Sequence, residues 1–169
     1  MKNLQLAVLI TALSAAAFGN PLCAQNEPAP PPPPTSPWQT PFHEQATDAA
    51  WAAFHDGQFA AAITNAEQCI ARFGEAANRS QAVLDSKKVT LPTGAVSEAE
   101  RKRIAQYGIL HDVATCFLIK GWAEEKLGHK AEAKKAYAEA QKYTHARSSR
   151  PSGDSFWSPA EKASESLNK

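Results

Sequence analysis

The side chains able to do chemistry are few and scattered. His43, His55, His111, His129 and His145 fall at no spacing that holds a metal. His111 and Cys116 are five positions apart, which places them off one helical face. A Cys–His nucleophile pair would therefore need a tertiary contact that spacing alone does not supply. The paired carboxylates Glu98/Glu100 and Glu124/Glu125 read as solvated helix surface. Arg101-Lys102-Arg103 follows acidic residues and reads as an exposed helical face, not a nucleic-acid patch. Asn78-Arg79-Ser80 matches a glycosylation acceptor in form. The expectation is a non-enzyme with no catalytic residues, no metal and no cofactor.

The elements that would carry these residues are bounded by composition. The 169 residues allow one domain plus tails, and 43% apolar content is enough for a core. A formal charge of +1 projects no strong field toward nucleic acid or an anionic membrane. At the amino end, Lys2 precedes an uncharged, mostly apolar run from Leu4 to Phe18, short for a bilayer span. Leu22-Cys23-Ala24 then offers a small residue at a cleavage position. Residues 1–24 are expected to be a secretory signal peptide cut after Ala24, giving a periplasmic or secreted product with no membrane insertion. An uncleaved anchor and a lipoprotein modified at Cys23 are the competing readings. Cleavage leaves Cys69 and Cys116, either a disulfide or two packed thiols.

Residues 25–41 form the next segment. Its core, Glu27 to Pro37, reads EPAPPPPPTSP. Proline fixes φ and lacks an amide donor, so this piece is expected to be a disordered, polyproline-like tether. A docking site for a proline-reading partner is the other use.

Beyond it the period is helical. Glu44 to Asp56 is expected as a helix ended by Gly57, and Phe59 to Phe73 as a second closed by Gly74. A weaker helix follows over Glu75 to Lys87, then a loop over Val89 to Val96 containing Pro92 and Gly94. Ser97 and Glu100 make a capping box. From there the period runs to Leu127, with a bend expected at Gly108. Lys130 to His145 is the next helix. Phe156 and Trp157 should anchor a short final helix, with Ser158 as its cap and Pro159 in its first turn. No strand is expected.

Phe117 to Tyr143 is a helical hairpin broken at Gly128-His129, and it has a counterpart. Gly121, Gly128, Ala133, Tyr137 and Ala140 repeat the steps of Ala50, Gly57, Ala62, Ala66 and Cys69, and Trp122 follows Gly121 as Trp51 follows Ala50. Both patterns are offset by 71 positions. This resembles the tetratricopeptide repeat, a helix–turn–helix unit of about 34 residues. Lys120, Glu124 and His145 depart from it in the second copy, where leucine, tyrosine and proline are usual. Ala50, Ala66 and Cys69 depart from it in the first.

The resemblance implies an all-α solenoid of about six helices. Residues 42–146 would form the repeat domain and 147–169 a loop and capping helix. With only two recognisable units, the remaining segments or self-association must complete the burial. It further implies a concave groove lined by the first helix of each unit. The groove positions would be Thr47, Trp51, Phe54 and His55, then Leu118, Trp122, Glu125 and Lys126. The implied function is an exported adaptor that binds a peptide or protein there. The alternative is a structural, homo-oligomeric envelope subunit whose tryptophans are covered by the chain itself, with Phe156 and Trp157 folded back on them.

Overall fold

The structure, a computed structural model, describes residues 41–150, 153 and 155–169. The expected signal segment, and the proline-rich linker up to residue 40, lie outside the described residues. Six helices and three very short strands are formed among the described residues, and the fold is all-α in character. No helix of the described residues is long and apolar enough to cross a membrane.

Helix α1 (Phe42–His55) and helix α2 (Phe59–Ser86) make the first hairpin. Helix α4 (Gly108–Lys126) and helix α5 (Lys130–Ala140) make the second. The two turns share three backbone bonds at equivalent positions. In the first, Asp56 N–H donates to Ala52, Gly57 N–H to Phe54 and Gln58 N–H to Ala53. In the second, Leu127 donates to Ala123, Gly128 to Glu125 and His129 to Glu124. Each closes on a glycine of positive φ, 73° at Gly57 and 83° at Gly128, where a side chain would be strained. The residues that follow, Gln58 and His129, share the same backbone angles within a few degrees.

The helix count matches the expectation, but three of the boundaries do not. Gly74 does not end α2, which runs on to Ser86. Its buried stripe of Ala66, Cys69, Ala77, Gln81 and Leu84 continues past the glycine. That burial outweighs the roughly 1 kcal/mol that a helical glycine costs. Conversely, the expected long helix from Ser97 divides into α3 (Glu98–Ala105) and α4. The Ile104 carbonyl, which would accept from Gly108 in an unbroken helix, instead takes Tyr107 N–H and the His111 ring. The Ser97–Glu100 capping box opens α3 as expected, with Ser97 N–H donating to the Glu100 carboxylate at 2.8 Å. Helix α5 stops at Ala140 rather than His145, because tight turns take over through Tyr143 and Ala146.

Three strands also appear where none was expected. Strands β1 (Gly94–Ala95), β2 (Ser148–Ser149) and β3 (Ser155–Trp157) pair antiparallel in the order β1-β3-β2. Two or three residues are too few to show alternation in sequence. The final helix α6 (Pro159–Leu167) begins as read, with the Ser158 hydroxyl accepting from Glu161 N–H.

Helix α4 is the hub, packed on α1, α2, α5 and α6. One buried cluster lies where α1, α2 and α4 meet. A smaller one, Leu118, Ala133, Tyr137, Ala140 and Ala163, joins α4, α5 and α6. The two residues that break the apolar stripe of α4 each find a partner. Lys120 bridges to Glu67 of α2 at 2.6 Å, and the buried Glu124 carboxylate meets the His129 ring at 2.7 Å.

Candidate functional site

Trp51 and Trp122 occupy equivalent places in the two hairpins, and the fold brings them together. Their ring centroids are 5.8 Å apart, tilted by 49°. Trp51 stacks on His55 at 5.3 Å, and Phe54 meets Trp122 at 6.1 Å. Aromatic pairs at such distances each add about 1 kcal/mol beyond area burial. The Trp122 indole N–H donates to the Ser166 hydroxyl of α6 at 3.2 Å, which fixes the ring's angle.

This aromatic ridge separates two open clefts. One, of about 750 Å³, is lined by Trp51, Phe54, His55, Trp122, Glu125 and Lys126 with Ser166 and Lys169. The other, of about 730 Å³, has Thr47, Asp48, Trp51 and His55 on one side and Asp112 and Trp122 beside them. Its far wall is Ser148, Ser149, Arg150, Gly153 and Trp157, with Lys162 of α6. Seven of the eight expected groove positions thus line these two clefts. Both tryptophans are half-buried, neither swallowed by the core nor fully in solvent.

Leu118 is a correction. It is fully buried at 0% exposure against Ala133, Tyr137, Ala140 and Ala163. Helix α4 is covered on several faces, and position 118 points between α5 and α6 rather than into the groove. Its counterpart Thr47 is also buried, though its edge reaches the cleft floor. Glu125 lines the cleft but already accepts from the Tyr137 hydroxyl at 2.7 Å. That contact, after burial, holds the Tyr137 phenol above its ordinary range.

Sequence reading missed the far wall, which is built by the short strands. Strand β3 alternates, so Phe156 enters the larger core cluster while Trp157 packs on the smaller one and faces the cleft. Of the two, only Trp157 lines the cleft that Trp51 and Trp122 also line. The wall is held by Arg147, whose buried guanidinium donates to the Leu91, Pro92, Thr144 and Ala146 carbonyls. Burial draws its pKa below the usual value. Arg147 N–H in turn donates to His111 Nδ1 at 3.1 Å, and His111 Nε2 donates to the Ile104 carbonyl at 2.8 Å. Both ring nitrogens are thus engaged on backbone. Burial, with the Arg147 charge nearby, pushes the imidazole down to about 4. His111 is a neutral structural link here and does not meet Cys116. At the cleft's inner end, His43 Nδ1 contacts the Asp112 carboxylate, whose pKa is raised by burial despite that partner. Among the described residues, no group of three or more His, Cys, Asp or Glu side chains could hold a metal ion.

No family model matches this chain, and no curated protein or solved structure matches it either.

Proposed function

We propose that this chain is a short helical-repeat protein, resembling the tetratricopeptide repeat, that binds a peptide segment of another protein across the Trp51–Trp122 ridge. The matched turns at Gly57 and Gly128 support the repeat, as does the packing order. Helix α1 packs on α2, both pack on α4, and α4 packs on α5. Helix α6 then covers α4 and α5 as a cap. The observation that carries the binding reading is the placement of two half-buried tryptophans, at equivalent positions, on the ridge that lines both open clefts. Tryptophan offers much contact area at low entropy cost and dominates many interfaces. His55, Lys126, Lys162 and Lys169 around it would fix the direction of a bound chain.

The amino-terminal pattern supports an exported adaptor, acting without catalysis or cofactor. Cell fractionation with sequencing of the mature amino terminus tests the export; retention of Met1 on a cytoplasmic product would count against it. Binding is tested by selecting displayed peptides on the full chain and titrating the winners against Trp51→Ala and Trp122→Ala. Losses of about 30-fold or more in affinity are expected at each, the range of a buried aromatic anchor. Selected peptides that bind both variants as tightly as the parent would sink this reading. A mass that rises with concentration, with both tryptophans shielded from acrylamide, would favour a self-associating subunit instead.

A further inference from the structure

Cys69 of α2 and Cys116 of α4 are both completely buried, each at 0% exposure. They stand on two helices that pack directly on one another. One hydroxyl touches both sulfurs: Thr47 Oγ1 of α1 lies 3.8 Å from Cys69 Sγ and 3.4 Å from Cys116 Sγ. The two sulfurs thus flank one hydroxyl, close enough for each thiol to influence the other's ionisation. Neighbouring positions of the same cluster, Ala62, Ala66 and Ala114, carry only a methyl group, whereas these two carry sulfur.

We propose that Cys69 and Cys116 form a dithiol pair that closes to a disulfide, pinning α2 to α4 beneath the cleft, when the chain folds in the presence of an oxidising disulfide. The thiolate of one cysteine attacks the oxidant's disulfide, forming a mixed disulfide and releasing one thiolate. The second cysteine, after losing its proton to solvent, attacks the protein sulfur of that mixed disulfide. The S–S bond forms, the second half of the oxidant leaves as a thiolate, and both leaving thiolates take up protons. Two electrons pass from the cysteine sulfurs to the oxidant. Burial raises a thiol's pKa and closes it to an oxidant, so the exchange takes place while the chain folds, before α2 and α4 cover the two sulfurs. The bond would close a long loop, from Cys69 to Cys116, and long loops gain most from such a crosslink.

The test uses the full chain carrying Cys23→Ser, so that only two thiols can be counted. The reduced, unfolded protein is refolded with a mixture of reduced and oxidised glutathione. The expected product has no thiol titratable in denaturant, and its intact mass is about 2 Da below the reduced form, two hydrogens. Its Tm should stand roughly 10 °C above that of the reduced form. Reductant should reverse the rise, and Cys116→Ala should abolish it. Two free thiols after refolding, or glutathione adducts in place of the internal bond, would overturn the proposal. The readout does not depend on peptide binding, so the two proposals stand or fall separately.

Discussion

The ring of Tyr137 occupies the space in which a Cβ on Gly121 would stand, with Cε1 only 2.3 Å from that position. The equivalent pair in the first hairpin is Ala50 and Ala66, both fully buried. The two units solve the same helix crossing with opposite partitions of volume, glycine against tyrosine or alanine against alanine. Gly121→Ala should therefore destabilise the protein by about 2 kcal/mol through overpacking. Urea unfolding checks this. In a double-mutant cycle with Tyr137→Leu the two effects should be clearly less than additive.

The turns offer a second test of the repeat. Gly57→Ala and Gly128→Ala each force a side chain into positive φ, with open space around the Cβ. Each should cost about 1 kcal/mol. Because the turns share the same hydrogen bonds, the two losses should agree closely in chemical denaturation. Unequal losses would mean that the turns are alike in outline only.

Acid stability should follow His111. The unfolded imidazole takes a proton near its ordinary value of 6.5, while the folded one resists until about 4. Between those values the unfolded state binds more protons, so stability falls as pH drops through that window. The fall approaches about 3 kcal/mol from this group, and the contribution is flat below it. Asp112 works in the opposite sense, since its raised pKa favours the folded state as pH falls. His111→Gln should flatten the decline measured by unfolding at pH 7, 6, 5 and 4.

Arg147 should govern the far wall of the cleft. Arg147→Ala leaves the carbonyls of Leu91 and Pro92 without their donor and should cost about 3 kcal/mol. Amide exchange should quicken at Ser148, Ser149 and Ser155–Trp157. Protection in the centre of α4 should fall only as far as global stability does. Uniform loss across the chain would mean that Arg147 supports the whole fold rather than the wall.

Helix content and the hairpin turns were readable in the chain because their signals are local. Gly57, Gly128, Ser97 with Glu100, and Ser158 with Pro159 each act within a few residues. The misread boundaries depend on distant partners. Gly74 stays helical because α4 covers its helix, and the break before Gly108 needs the His111 ring on Ile104. In the site, Trp51 and Trp122 were visible through the internal repeat. The far wall was not, because it rests on Arg147, a residue that sequence places in an unremarked polar loop. Leu118 was misplaced because a helix with four neighbours has few outward positions, and periodicity does not say which neighbour each side faces.

Strand β3 has one further consequence. Phe156 and Trp157 are adjacent in sequence yet belong to different buried clusters. Pairing of Phe156 with Gly94 and Ser149, and of Trp157 with Ser148, sets which ring goes where. Side chains alternate along a strand, so a slip of one residue would exchange the two rings. The phenyl would then face the cleft and the indole would be driven into a space shaped for something smaller. Three residues of strand thus act as an alignment pin between the two halves of the core. The number of residues between Arg150 and Ser155 becomes a quantity that a single insertion disturbs more than many substitutions on the surface.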